Sequence, residues 1–142
     1  MISGNEDTDN TSSSIAQSDK IKILAAEDNP INQLLLTAIL KQINAEFIIV
    51  ENGQILLDVY KEKHFDVILM DLMMPVKDGF QSTIEIRNLE DKMKSEIPII
   101  AVSADVTEMV TIKCKQIGMS GYLSKPFVKN DLVEIIERLI KE

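Results

Sequence analysis

Residues 67–75 of the chain read VILMDLMMP, a run that is apolar throughout except for one carboxylate, Asp71. The run is short, and it lies between Asp66 on one side and Pro75 and Gly79 on the other. This pattern is typical of a strand that is buried on both faces, as in a parallel sheet covered by helices. Asp71 would stand at the carboxyl end of that strand, which is the edge where open α/β sheets bind ligands. The sequence therefore indicates a chemical role for Asp71.

The composition is that of one globular domain with a polar tail. Of the 142 residues, 45% are hydrophobic and 27% are charged, which is enough apolar material for a core. The formal net charge of -8 argues against nucleic-acid binding, because phosphate neutralisation needs clustered Lys and Arg. No window is apolar enough to span a membrane and no secretory signal is evident, so we expect a cytoplasmic domain without membrane contact.

Residues 3–19 consist almost entirely of small polar and acidic residues with little to bury. Such a composition predicts a disordered tail or linker over residues 1–19, followed by a folded domain over residues 20–142. The single cysteine, Cys114, has no partner for an internal disulfide.

From Lys20 onward, short apolar runs alternate with longer amphipathic segments, which predicts five successive βα units. The candidate strands are Ile21–Ala26, Glu46–Val50, Val67–Met70, Ile99–Val102 and Gly121–Leu123. Short loops between such units imply right-handed crossovers. The expected fold class is therefore α/β, with a parallel sheet that carries helices on both faces.

Two helices have distinct signals. Asn29-Pro30 is typical of a helix cap followed by the first turn. The residues that follow on one face of that helix are Ile31, Leu34, Leu35, Ala38 and Ile39. The last helix carries an apolar stripe at the spacing i, i+3, i+4 and i+7, made of Leu132, Ile135, Ile136 and Leu139.

Two adjacent acids, Glu27 and Asp28, come directly after the first strand. If the first and third strands are neighbours, these acids meet Asp71 in one crevice. Three carboxylates repel one another unless a cation is present, and hard oxygen ligands suit Mg²⁺. A solvated acidic loop is the alternative interpretation of the pair taken alone.

Two further side chains follow the fourth and fifth strands. Ser103 offers a hydroxyl and Lys125 an ammonium group. A carboxylate that attacks phosphorus needs a divalent cation, a fixed positive charge and a hydrogen-bond donor. Each residue alone is weak evidence, because a serine after a strand is common in turns and a lysine before proline is common on surfaces. Their recurrence at four strand ends indicates a phosphoryl-transfer site.

With these residues the chain resembles a response-regulator receiver domain of two-component signalling, over roughly residues 20–142. The resemblance rests on four motifs, Glu27-Asp28, residues 70–79 (MDLMMPVKDG), Ser103-Ala104 and residues 121–127 (GYLSKPF). It implies a doubly wound, flavodoxin-like sheet of five parallel strands in the order 2-1-3-4-5.

The resemblance also implies roles for individual residues. Asp71 would be the catalytic phosphoacceptor, taking a phosphoryl group from phosphohistidine. Asp28 and Asp71 would ligate Mg²⁺, with Mn²⁺ as the other candidate ion, through their side chains. Met73 would ligate it through its backbone carbonyl, and Glu27 through an ordered water.

Three more roles follow from the resemblance. Lys125 would pair with Asp71 at rest and with the phosphoryl group afterwards, and Lys125-Pro126 would be joined by a cis peptide bond. Ser103 and Tyr122 would form the switch.

One departure is at Met73, where many relatives carry a polar side chain that helps to orient the attacking water. We therefore expect the acyl phosphate to hydrolyse more slowly than in a relative with asparagine at this position.

The implied partners are a histidine kinase or a histidine phosphotransfer protein. A downstream protein, or a second copy, would bind the surface of the fourth helix, fifth strand and fifth helix. The motifs of residues 26–32 and 118–126 most resemble receivers of hybrid sensor histidine kinases, whose full-length parent could be membrane-anchored. A stand-alone regulator is an open alternative.

Three other functions fit the residues less well. A turnover enzyme of the haloacid dehalogenase type needs a second Asp two residues after the nucleophile, where this chain has Met73. A flavodoxin-like cofactor binder needs a small-residue phosphate loop after the first strand, where Glu27 and Asp28 stand. A degenerate receiver that only binds proteins would not need the complete set of acids, hydroxyl and lysine.

Overall fold

A computed structural model of the chain describes residues 20–105 and 107–140. The strands are β1 (Lys22–Ala26), β2 (Glu46–Val50), β3 (Val67–Asp71), β4 (Ile99–Ser103) and β5 (Gly121–Ser124). The helices are α1 (Pro30–Gln42), α2 (Gly53–Glu62), α3 (Gly79–Arg87), α4 (Glu108–Gln116) and α5 (Lys129–Ile140), with one helical turn at Lys92–Ser95. The predicted tail, residues 1–19, lies outside the described residues.

The strands form a five-stranded parallel sheet in the order β2-β1-β3-β4-β5. This order confirms the doubly wound, flavodoxin-like arrangement that the resemblance implied. Each strand limit is within one residue of its predicted position. Asp71 and Ser103 are themselves the last residues of β3 and β4, so both side chains start from the sheet rather than from a loop.

The core has two halves, one on each face of the sheet. Alternate residues of β3 point to opposite halves, with Ile68 and Met70 in one half and Val67 and Leu69 in the other. Helices α2, α3 and α4 cover the first half, while α1 and α5 cover the second. Because every position of β3 is buried, the strand reads as a continuous apolar run instead of an alternating one.

The predicted start of α1 is confirmed. The side-chain oxygen of Asn29 accepts hydrogen bonds from the backbone N–H groups of Ile31 and Asn32, at 2.9 and 3.0 Å. These bonds satisfy donors that have no partner within the helix. Pro30 takes the first helical position, where no N–H is needed.

The apolar face that the sequence singled out on α1 is not the face that packs on the sheet. Ile31, Leu34 and Leu35 are 69%, 72% and 58% exposed, whereas Leu36 and Leu40 are buried. The helix has apolar residues around most of its circumference, so their spacing did not specify which side faces the core. Leu36 and Leu40 pack in the same half of the core as Ile23 and Ala25 of β1, so tertiary contacts determine which side of the helix is buried.

The stripe predicted on α5 is confirmed, since Leu132, Ile135 and Ile136 are buried and Leu139 packs beside them. Within the described ranges, none of the helices has the length and hydropathy that a membrane span requires.

Candidate functional site

Three carboxylates converge at the carboxyl edge of the sheet. Glu27 and Asp28 follow β1, and Asp71 ends the neighbouring strand β3. One oxygen from each carboxylate lies within 4.8 Å of the others. Glu27 and Asp71 are 4% and 5% exposed, whereas Asp28 is open to solvent. The set offers hard oxygen ligands on one open side, which suits a cation such as Mg²⁺ that keeps several of its waters.

Asp71 is held from two sides. Its Oδ1 accepts the backbone N–H of Met73 at 3.1 Å, and its Oδ2 accepts a hydrogen bond from Lys125 Nζ at 3.1 Å. Burial raises the pKa of Asp71 above its ordinary value, and the charge of Glu27 acts in the same direction. The Met73 N–H and Lys125 lower that pKa without cancelling the rise. A divalent cation at these oxygens would favour the ionised form of Asp71.

Lys125 joins two of the three acids. Its Nζ lies 2.7 Å from Glu27 Oε1 and 3.1 Å from Asp71 Oδ2. Burial alone would lower the pKa of Lys125, but its hydrogen bond to Glu27 and the charge of Asp71 raise it above the ordinary value. The Lys125–Pro126 peptide bond is cis. The predicted pairing with Asp71 is therefore present, and a second pairing with Glu27 accompanies it.

Ser103 and Tyr122 both hold the residue that follows the end of β4. Ser103 is buried, and its Oγ accepts the backbone N–H of Asp105 at 3.0 Å. The Tyr122 hydroxyl donates to the backbone carbonyl of the same Asp105. Burial raises the pKa of Tyr122 above its ordinary value, which keeps the phenol neutral and able to donate. The two predicted switch residues thus share one backbone anchor.

The loop between β3 and α3 closes the site on one side. A Cβ on Gly79 would lie 2.4 Å from the carbonyl oxygen of Asp71, so only glycine permits this approach. The Lys77 N–H donates to the Pro75 carbonyl at 2.7 Å across Val76, whose φ is 68°. A β-branched residue with this φ is strained, so surrounding contacts must hold the turn.

The opposite side of the site is the first part of α1, where sequence reasoning missed two contacts. The Asn29 N–H donates to Glu27 Oε2 at 3.1 Å. The side-chain Nε2 of Gln33 donates to the backbone carbonyl of Glu27 at 2.6 Å. Gln33 carries no sequence signal for this role, because a glutamine in a helix is usually a solvated residue.

An apolar groove adjoins the acids between α1 and the loop that leads to α5. Its volume is about 330 Å³. Leu35, Ile39 and Phe127 line its apolar part, while Glu27 and Lys125 stand at its polar end. The groove therefore continues from the exposed face of α1 to the charged residues.

The chain matches the family of response regulator receiver domains over residues 23–137, and it belongs to that family. It is 33% identical over 135 residues to probable histidine kinase 6 of Oryza sativa subsp. japonica, an alignment that covers 83% of the chain and 14% of the relative. The chain thus spans a small part of such a protein.

Two solved structures of receiver domains are similar to the chain in sequence and in fold. The receiver domain of a sensor histidine kinase from Pseudomonas aeruginosa, described with magnesium coordinated in its active-site cleft, is 36% identical with a TM-score of 0.79 over 87% of this chain and 99% of that one. A co-crystal structure of the Saccharomyces cerevisiae phosphotransfer protein Ypd1 with the receiver domain of Ssk1 gives 29% identity and a TM-score of 0.78, over 86% and 90% of the two chains. The chain is a receiver domain of a phosphorelay signalling system.

Proposed function

We propose that Asp71 is the phosphoacceptor of this receiver domain. One carboxylate oxygen of Asp71 attacks phosphorus, the bond from phosphorus to the histidine nitrogen breaks, and an acyl phosphate forms. The observation that carries this proposal is the convergence of Asp71 with Glu27, Asp28 and Lys125 at one edge of the sheet.

A divalent cation fits the acid set. Asp28 and Asp71 would ligate Mg²⁺ through their side chains, Met73 through its carbonyl and Glu27 through a water, and Mn²⁺ would use the same oxygens. The magnesium described for the Pseudomonas aeruginosa receiver supports this assignment. When bound, the ion would neutralise charge on the phosphoryl oxygens. The protein contributes the orientation of its own oxygens through the Met73 and Asn29 N–H groups.

Lys125, Ser103 and Tyr122 would respond to the phosphoryl group. Lys125 is already at the acceptor and would keep a fixed positive charge beside the new phosphoryl oxygens. Ser103 would turn from the Asp105 N–H toward a phosphoryl oxygen, and Tyr122 would then move inward. A new set of hydrogen bonds would thereby favour a second arrangement of the β4–α4 loop.

The output would pass through the surface of α4, β5 and α5. Met109 and Ile112 on α4 are 81% and 49% exposed, so this surface offers apolar contacts to a downstream protein or to a second copy of the domain. Asp105 is bonded to Ser103 at the end of β4 and to Tyr122 on β5, so a change in these bonds would alter the β5 part of this surface.

The phosphodonor would be a histidine kinase or a histidine phosphotransfer protein that binds the exposed face of α1. Ile31, Leu34 and Leu35 form an apolar patch there, and the groove beside Leu35 leads to the acids. Since the donor must bring an imidazole to Asp71, its contact surface has to surround the mouth of the site. The co-crystal structure of Ypd1 with a receiver supports this class of partner.

We also propose that residues 20–142 form the receiver unit and that it operates within a hybrid histidine kinase, which the similarity to probable histidine kinase 6 supports. A stand-alone regulator would use the same site. The cytoplasmic location stays a prediction.

The test is Mg²⁺-dependent labelling of the protein with acetyl phosphate, followed by mapping of the modified residue. We expect one acid-stable, base-labile phosphoryl group on Asp71 in the wild type and none in Asp71→Asn or in the presence of a chelator. Asp58→Asn is the matched control, because Asp58 is an exposed residue on α2. Absence of label from the wild type would favour a receiver that only binds proteins.

A further inference from the structure

Gln33 contacts the peptide bond between Glu27 and Asp28, the two adjacent acids of the proposed cation site. The carbonyl of Glu27 belongs to the peptide between Glu27 and Asp28, and it accepts the side-chain N–H of Gln33 at 2.6 Å. The glutamine is part-buried, so this bond is shielded from competing water. One hydrogen bond from α1 therefore fixes the orientation of the backbone from which both carboxylates leave.

A second contact fixes the side chain of Glu27 to the same helix start. The Asn29 N–H donates to Glu27 Oε2, while the Asn29 side chain caps α1. The backbone carbonyl of Glu27 thus accepts a hydrogen bond from Gln33 on α1, and its carboxylate accepts one from the cap residue Asn29. Without such restraints, mutual repulsion would drive the three acids apart.

We propose that Gln33 is a positioning residue for the cation site, although it is not itself a ligand. Its amide holds the acid pair in the geometry that lets one oxygen of each carboxylate meet Asp71 within 4.8 Å. Groups that orient metal ligands through hydrogen bonds contribute strongly to metal affinity. The contact also connects the cation site to α1, and its consequence for phosphoryl transfer rests on the proposed function.

The test is a Mg²⁺ binding isotherm, measured by titration calorimetry on the whole chain. Gln33→Met keeps the shape of the side chain and removes the donor, so we expect Mg²⁺ to bind about tenfold more weakly. Gln42→Met is the matched control, because Gln42 lies on the same helix, is exposed and undergoes the same substitution. It should bind Mg²⁺ as the wild type does.

The rate of labelling by acetyl phosphate gives a second readout. For Gln33→Met the Mg²⁺ concentration for half-maximal rate should rise about tenfold, while the rate at saturating Mg²⁺ should return to that of the wild type. If Gln33→Met does not fold, Gln33→Asn, which keeps the amide but is too short to reach the carbonyl, replaces it.

A Mg²⁺ affinity within about twofold of the wild type, in a folded variant, would overturn the positioning role. A lower melting temperature with unchanged Mg²⁺ affinity would show that Gln33 only stabilises the fold. Failure of the proposed function can be told apart from failure of the positioning role. If Asp71 is not a phosphoacceptor, the wild type is not labelled, but the Mg²⁺ binding isotherms still compare Gln33→Met with the wild type.

Discussion

The ammonium group of Lys125 lies closer to Glu27 than to Asp71. Its Nζ is 2.7 Å from Glu27 Oε1 and 3.1 Å from Asp71 Oδ2. Two buried carboxylates therefore share one cation, which offsets part of the repulsion that a metal ion would otherwise have to relieve. A bound divalent cation and Lys125 would compete for the same negative charge.

Because the two acids share Lys125, we predict that the free energy of unfolding of Lys125→Met depends on Mg²⁺. Without metal, the variant leaves Glu27 and Asp71 unpaired, and we expect its free energy of unfolding to fall by about 2 kcal/mol, less than for a fully buried pair because Lys125 is partly exposed. Saturating Mg²⁺ should remove most of this loss. Urea unfolding with chelator and with Mg²⁺ measures both values.

Lys77→Met is the matched control for that experiment. Lys77 pairs with Glu85 at 2.5 Å, and the described residues show no ion pair between Lys77 and the three acids. Its effect on stability should be the same with and without Mg²⁺. An equally metal-independent loss in Lys125→Met would contradict the shared-cation interpretation.

The exposed side chain of Met73 leads to a prediction about the lifetime of the acyl phosphate. Met73 is 72% exposed, and its N–H is bonded to Asp71, so its side chain stands at the rim of the acceptor. A thioether hydrogen-bonds water poorly, whereas an amide binds and orients it. Met73→Asn should therefore shorten the lifetime about fivefold, which corresponds to one ordinary hydrogen bond.

The measurement is the decay of label on Asp71 after removal of acetyl phosphate, in the presence of Mg²⁺. Met73→Leu serves as the control, because it changes shape slightly and adds no polar group. An unchanged lifetime in Met73→Asn would sink the prediction.

The apolar patch on α1 predicts a difference between protein and small-molecule donors. Leu34→Glu should slow transfer from a phosphorylated histidine phosphotransfer protein about tenfold or more, since a charge in an apolar contact is costly. Labelling by acetyl phosphate, which needs no docking surface, should stay at the wild-type rate. Rapid-quench kinetics with each donor give the two rates.

Met93→Glu provides a control for added surface charge. Met93 is 88% exposed and lies in the helical turn before β4, at the amino edge of the sheet. If both substitutions slow transfer from the protein donor equally, the slowing reflects net charge and not docking on α1.

Tyr60 predicts a component of stability at alkaline pH. Its hydroxyl donates to the Lys94 carbonyl at 2.8 Å, and Lys94 Nζ donates to the Tyr60 carbonyl at 2.6 Å. Burial raises the pKa of Tyr60 to about 12. The folded state therefore favours the neutral phenol, so this contribution is complete below pH 10 and declines as pH rises toward 12.

Tyr60→Phe should remove that part of the decline, measured as the slope of unfolding free energy against pH above 10. The chain has two tyrosines and no tryptophan, so the variant leaves Tyr122 as the only source of tyrosinate absorbance. A variant whose slope equals that of the wild type would contradict the prediction.

The carboxyl ends of the strands could be predicted because each is marked by a local pattern of residues in the sequence. A strand buried on both faces reads as an apolar run, and the polar residue that interrupts it marks the functional edge. This pattern predicts roles for Asp71, Ser103 and Lys125, and the first two are the last residues of β3 and β4. The order of the strands came from the resemblance and not from the spacing.

The packed face of α1 could not be predicted, since Leu36 and Leu40 differ from their exposed neighbours Leu34 and Leu35 only in direction. Gln33 was missed for a related reason. A glutamine acquires its role only when the helix start folds back on the residue that follows β1.

The sequence by itself determined the alternation of strands and helices and the acidic, hydroxyl and basic residues that follow the strands. These are properties of nearby residues, which local periodicity records. The tertiary structure alone decided which charges pair, because Lys125 meets an acid 54 residues away through the register of a sheet. Its choice of Glu27 as the nearer partner depends on differences of a few tenths of an ångström, which no local pattern encodes.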